Sequence, residues 1–231
     1  MKNIQTINAN ISNNFIDALM TKKNLLEFQL FIYLSKYNQN IERRQDTSII
    51  TIDIKHFSQF FNFDKQNIRK TFQELQTILI KGKTFDGVLY PLIDYKYNGI
   101  IKITMFNIIT DQVFNLLKDF TIININNFIN LNNINSFKFL LHLERINGYN
   151  FAKAKTYNLE DLNNIFNTKY KTLTLIETNI LKPILTDLND NSNISFDMNK
   201  NFNHNKGKGR PFLESIKIEI TNNLYIQPTL F

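Results

Sequence analysis

Three cations and two glycines fall within the segment Asn205-Lys206-Gly207-Lys208-Gly209-Arg210. Glycine lets a backbone come close to a phosphate, and Lys206, Lys208 and Arg210 would release counterions on meeting a polyanion. The spacing is not that of the nucleotide-binding phosphate loop, which needs four residues between its glycines and a Lys-Ser or Lys-Thr end. The plainer alternative is an exposed hairpin turn with incidental lysines.

A second set of residues has the types that read base edges. Lys169, Lys171, Thr172, Thr174 and Thr178 flank or sit off an apolar stripe of Leu173, Ile176 and Ile180. Lysine reaches guanine acceptors or phosphate, while threonine hydrogen-bonds or touches a thymine methyl. A third set, Lys65, Gln66, Asn67, Arg69 and Lys70, occupies the matching place in an earlier part of the chain. Glutamine and asparagine pair with adenine through two hydrogen bonds. Any one of these side chains is as well explained as part of a solvated helix face; two such faces together point to double-stranded DNA.

Other chemistries are poorly served. His56, His142 and His204 are scattered, without a metal-binding spacing. Cysteine is absent, which removes disulfides, thiolate metal sites and cysteine nucleophiles at once. Glu160-Asp161 stands where it would favour a helix start rather than form an acid–base pair. No nucleophile and base fall together, so the chain is expected not to be an enzyme, and no metal or cofactor is expected.

The elements that must position these residues follow from periodicity. Leu25 to Tyr37 is apolar almost all round, as a deeply packed helix would be, with Thr21 as its expected cap. Ile50, Ile52 and Ile54 alternate with Thr51 and Asp53 as a half-buried strand. Phe57, Phe60 and Phe61 then line a short helix stopped near Asn62. Asp64 is expected to cap a second helix with Ile68, Phe72, Leu75 and Leu79 on one stripe. Strands over Val88 to Tyr95 and Gly99 to Phe106 close on an Asn98-Gly99 turn. Asp111 to Leu117 reads as a closing helix. Strand, helix, tight turn, helix, hairpin is the order of a winged helix.

That order returns. Tyr157-Asn158-Leu159 is a short strand-like entry, Leu162, Ile165 and Phe166 line a helix stopped near Asn167, and a longer helix carries Leu173, Ile176, Ile180, Ile184 and Leu188. The strands Ile194 to Met198 and Ile216 to Ile220 flank the basic segment. The two passages align at one offset, 162 − 57 = 105, which also takes Phe60 to Ile165, Phe61 to Phe166, Asn62 to Asn167, Ile68 to Leu173, Leu75 to Ile180 and Leu79 to Ile184. Phe72 lands on Glu177, one residue past Ile176, so the match is imperfect. Two copies of one domain is the reading. Phe137 to Ile146 reads as the leading helix of the second copy, and the Ile/Asn alternation from Phe120 to Asn135 takes no clear assignment.

The fold expected is therefore α+β, two tandem winged-helix (helix-turn-helix) domains in a pseudo-repeat, over residues 1–120 and 121–231. A formal net charge of +7 and a pI near 9.4 favour a polyanionic partner. No apolar run reaches the roughly 18 residues of a membrane span, and the first residues lack the apolar core of a signal peptide. A cytoplasmic protein with no membrane partner is expected.

These residues resemble the iteron-type plasmid replication initiators, proteins of two winged-helix domains. The resemblance runs from about Asn14 to Ile220 and is strongest at Asn14 to Tyr37, at Phe137 to Gly148, and at Leu181 to Asn189. It is also strong at Lys208-Gly209-Arg210 followed by Ile216-Lys217-Ile218. Like the family, this chain ends its long second-domain helix with a Pro-containing turn and an acidic-x-Asn stop, Asp187 standing where the family often has Glu. Pro183 should interrupt one backbone hydrogen bond there.

The resemblance implies binding to direct repeats (iterons) at a plasmid origin, opening of adjacent DNA, and recruitment of host replication proteins. It further implies a homodimer, formed through the first domain, that represses its own promoter. The second domain would be the principal reader, through Lys169, Lys171, Thr172 and Thr174, with Lys206, Lys208 and Arg210 on the backbone. Lys65 to Lys70 would contact a second half of the site. The alternative is a dimeric winged-helix transcriptional regulator without a replication role.

Overall fold

The computed structural model describes residues 8–20, 25–36, 41–61, 79–81, 86–88, 92–95, 99–114, 120–148, 153–203 and 211–222. The chain forms two compact units that divide between Asn130 and Leu131. That is later than the expected 120/121 boundary. The reason is local: Phe120–Asn124 (β8) pairs antiparallel with Asn8–Ser12 (β1), Ile11 opposite Thr121. The unassigned Ile/Asn stretch is thus a strand, followed by a 3₁₀ turn over Ile125–Asn127 that Asn124 caps by accepting from the Asn126 N–H at 3.1 Å.

In the first unit, helices Asn13–Met20 (α1) and Leu25–Lys36 (α2) precede the strands Ile41–Arg43 (β2) and Thr47–Asp53 (β3). From Leu26 to Leu34 every residue of α2 is buried, including Glu27 and Gln29, as its all-round apolar character requires. Helix Ile54–Phe60 (α3) begins one residue earlier than the strand alternation predicts. Ile54 belongs to the helix because Asp53 turns from strand to N-cap, its carboxylate accepting from the Lys55 and His56 N–H groups at 2.7 and 3.3 Å.

After α3 the described chain resumes at Leu79–Lys81 (β4), which pairs with Asp86–Val88 (β5). Leu79 therefore stands in a strand and not at the end of the second helix: the run Leu79-Ile80 is followed at once by a hairpin partner. Thr21, Asn62, Asp64, Ile68, Phe72 and Leu75 lie outside the described residues. Of the expected strand from Val88 to Tyr95, Val88 is described in β5, paired with β4, and Leu92–Tyr95 (β6) pairs with a different strand, Ile100–Phe106. Gly99 takes φ +78°, the left-handed turn conformation that glycine alone adopts without strain, and leads into Ile100–Phe106 (β7). The sheet order is β2-β3-β7-β6. Helix Asn107–Phe114 (α4) follows, its start tied to the β2–β3 turn by Asn107, which donates to the Arg44 and Gln45 carbonyls and accepts from Ser48 Oγ.

The second unit opens with helix Ile134–Gly148 (α5) and strand Ala154–Tyr157 (β9). Helix Leu159–Phe166 (α6) is closed by Asn167 at φ 52°, ψ 53°, the stop the sequence suggests. A continuous helical run then passes through Leu173–Ile176 (α7), a π-helical turn at Glu177–Leu181 and Lys182–Asn191 (α8). The strands Ile194–Asn203 (β10) and Phe212–Asn222 (β11) complete a sheet of order β10-β11-β9. All five stripe residues, Leu173, Ile176, Ile180, Ile184 and Leu188, are buried. Pro183 has no N–H to donate, and the chain widens into the π turn just before it, with the Lys182 N–H reaching back five residues to the Glu177 carbonyl.

Part of the repeat survives in three dimensions, although its pair Leu79 and Ile184 does not, one lying in a strand and the other in a helix. The offset of 105 carries Asp53 onto Asn158 (53 + 105 = 158), and both are side-chain N-caps. Asn158 goes further and forms a capping box with Asp161, the use foreseen for the Glu160-Asp161 pair. The same step takes Ile52 to Tyr157 (52 + 105 = 157). Ile52 faces Ile101 on β7, and Tyr157 faces Ile216 on β11, the corresponding wing strand.

The helix α5 is held to the rest of its unit by rings. Phe139 is fully buried, 5.5 Å from the Phe166 ring and 5.0 Å from the Phe196 ring, so it joins α5, α6 and β10. Beside it His142 Nε2 shares a hydrogen bond of 2.8 Å with the Tyr157 hydroxyl. Burial, then the charges of Lys155 and Arg145, lower the His142 pKa from 6.5 to about 4. The fold thus favours neutral His142, and below pH 6.5 the unfolded chain binds the extra proton. This contribution is whole above pH 6.5 and is lost as pH falls toward 4. The second unit should lose about 3 kcal/mol across that window, and His142→Gln should flatten the loss when urea midpoints are followed against pH.

Candidate nucleic-acid interface

The turn between α6 and α7 is built around one asparagine. Asn163 Oδ1 accepts from Thr168 Oγ1 and from the Tyr170 N–H, both at 2.8 Å, while its Nδ2 donates to the Tyr170 carbonyl at 3.0 Å. With Asn167 in the left-handed region, this fixes where the next helix starts. Thr172 caps that helix, its hydroxyl oxygen accepting from the Leu175 N–H at 3.4 Å.

Lys169, Lys171, Thr172, Thr174 and Thr178 are all exposed. The buried stripe behind them leaves Thr174 and Thr178, one helical turn apart, on the outer face, with Lys171 at its entrance. Thr172 is also engaged in capping, which takes one lone pair of its oxygen and leaves its O–H and a second lone pair to offer.

Lys171, Thr172 and Thr174 share a groove of about 550 Å³ with residues at the loop end of the β10–β11 strand pair, among them Phe202, Pro211 and Phe212. Phe202 and Phe212 are about half exposed there. Strand pairing continues to Asn203 opposite Phe212, so the basic segment joins two paired strand ends. Lys206, Lys208 and Arg210 themselves lie outside the described residues, as do Lys65, Gln66, Asn67, Arg69 and Lys70 of the first unit. Lys169 and Thr178 do not line the groove.

Several residues of this region escaped the sequence reading. Asn163, Leu175, Phe202 and Phe212 carry no cation and fit no stripe; the one signal for the two phenylalanines is that they bracket the basic loop. Glu177 was visible only as the flaw in the repeat. It occupies a buried position with 3% exposure, and its carboxylate takes ammonium groups from Lys200 at 2.8 Å and Lys182 at 3.3 Å. Burial pushes its pKa up, but the hydrogen bonds and charges of Lys200 and Lys182 outweigh that and hold it below the ordinary carboxylate value.

The two halves of this cluster are not equivalent. Both ammonium groups reach water, so Glu177→Gln should cost little. Changing Lys182 and Lys200 together to alanine strips those cations from a buried carboxylate and should cost roughly 3 kcal/mol at neutral pH by urea unfolding. Equal losses for the two variants would show that the carboxylate does not depend on its lysines.

Among the described residues no three His, Asp or Glu side chains group as a metal site would, and no described helix is long and apolar enough to cross a membrane.

Comparison with known proteins gives two consecutive matches. The model described as initiator replication protein, WH1, matches residues 9–144. The model described as initiator Rep protein, WH2, matches residues 158–220. Comparison with the curated proteins finds no match. Among solved structures, the fold is similar to that of the Pi initiator protein crystallised with iteron DNA, with TM-score 0.71 and 11% identity over 95% of this chain and 99% of that one. At that identity the likeness is one of fold: two tandem winged-helix domains.

Proposed function

The chain belongs to the initiator replication protein family, and on that premise we propose that it starts plasmid replication by binding repeated double-stranded DNA sites at the origin. The Pi initiator of the same fold was crystallised with iteron DNA, which makes direct repeats the expected target. The observation that carries the proposal is the α7 face. Exposed Thr174 and Thr178 stand outward on a helix whose other side is buried, with exposed Lys171 just before its cap, beside paired strand ends that a three-cation segment of the sequence joins.

In this reading the start of the α7 run enters the major groove, where the first residues of a recognition helix face base edges. Lys171 and Thr174 contact bases, and Lys169 lies toward the phosphates. The groove beside Phe202 and Phe212 admits a strand of backbone, with Lys206, Lys208 and Arg210 on its phosphates. The residues Lys65 to Lys70 take a second half of the site through the first domain. The second domain supplies most of the discrimination, and the first also holds a homodimer that represses the protein's own promoter. Once repeats are filled, the protein opens adjacent DNA and recruits host replication proteins. None of these steps requires bond chemistry by the protein itself.

A marker fragment joined to this gene and its flanking DNA should replicate as a plasmid in the cells that carry the gene. Changing Lys171 and Thr174 together to alanine should abolish replication at unchanged protein level. Equal replication by the variant would overturn the assignment of this face.

A further inference from the structure

Leu175 does not join the core that its helix serves. Its neighbours Leu173 and Ile176 are buried to 3% and 0% exposure, whereas Leu175 is 45% exposed. Its N–H bonds to the Thr172 cap, which places it in the first turn of the helical run. On the helix it lies one turn before exposed Thr178 and next to exposed Thr174, with exposed Lys171 just ahead of the Thr172 cap. A leucine is therefore set beside the hydroxyls of the outward face, in the first turn, the part of a recognition helix that meets base edges.

An alkyl side chain has no donor or acceptor to give a base. In the major groove the apolar complement is the C5-methyl of thymine, which the other bases lack. The exposed Lys169 and Lys171 just before this turn match the charge of a duplex and favour it over an apolar protein partner. We propose that Leu175 is a specificity-determining residue, selecting thymine at one position of the target by packing against its methyl group. The proposal rests on the DNA-binding function assigned to this face.

The test uses the full-length protein and a duplex that it selects from a random-sequence pool. That duplex is resynthesised with deoxyuridine for thymidine at one position at a time, which removes the methyl and leaves every hydrogen-bonding group in place. One methyl buried corresponds to about a fourfold change in affinity. The wild type should lose about fourfold at one position, or at two adjacent ones. Leu175→Ala should bind the thymine duplex correspondingly less well and no longer distinguish the two bases there. Because the side chain is exposed, the alanine variant should unfold with the wild-type midpoint. If the variant weakens both duplexes alike while keeping the discrimination, Leu175 acts through the fold or through contact between copies, and the proposal is overturned. It is equally overturned if uracil is tolerated at every position by a wild type that still binds its selected duplex. Should the pool yield no duplex at all, the functional assignment fails with it, an outcome distinct from the other two.

Discussion

Phe139→Ala is expected to destabilise the second unit by about 3–5 kcal/mol, the range for removing a buried phenylalanine ring. Phe139 has no exposed surface, and its ring meets Phe166 of α6 and Phe196 of β10. Alanine leaves a cavity between three elements at once, so little of the site can collapse to fill it. Such a loss is a large part of the stability of a domain this size. The consequence for function is indirect but severe: α6 and its Asn163-stitched turn set the start of the recognition helix, and α6 leans on Phe139 through Phe166. Duplex binding should fall in step with the fraction of folded second unit, recovering at lower temperature. Phe139→Leu keeps most of the volume and should cost much less. The urea midpoint of the second unit, followed with binding, checks the prediction. Full binding by an undestabilised alanine variant would show that the ring cluster does not support the site.

The second large effect concerns the hairpin tip. Replacing Lys206, Lys208 and Arg210 together by alanine should weaken binding to all duplexes, whatever their sequence. The signature is in salt: each phosphate left without its cation lowers the slope of log affinity against log salt by about one unit, so the slope of the triple variant should fall by about three. Single changes of Lys171 or Thr174 should do the opposite. They should relax sequence preference by roughly 1–3 kcal/mol at one base position and change the slope less. A triple variant with unaltered slope would make the hairpin tip a passive loop.

The legible parts of the fold were those governed by period. The stripe from Leu173 to Leu188 and the all-apolar α2 follow from which residues must be buried, and the structure buries them. Of the repeat it buries Phe57, Phe60 and Phe61 with Leu162 and Phe166, while Ile165 is only half-buried. Leu79 does not share the helical place of Ile184. The repeat even extends to a pair not noticed in the apolar pattern, the N-caps Asp53 and Asn158. What was not legible depends on partners distant in sequence. The strand β8 exists because β1, more than 100 residues earlier, offers it an edge; nothing in Phe120 to Asn124 alone says so. The same holds for Glu177, whose burial makes sense only once Lys200 arrives from β10. In the interface, the cationic and hydroxyl residues announce themselves by type. Asn163 and Leu175 do not, because an asparagine in an Asn-rich chain and a leucine in an apolar one carry no signal until their surroundings are known.

The central claim is sequence-specific recognition of repeated duplex sites. The most direct test is a gel-shift titration of the purified protein against duplex fragments tiling the DNA upstream of its gene, with excess nonspecific competitor. A ladder of retarded bands on one fragment, one step for each direct repeat it carries, is the result predicted. A single retarded species confined to an inverted repeat, with no ladder on any fragment, would contradict it and leave a regulator of transcription in place of an initiator.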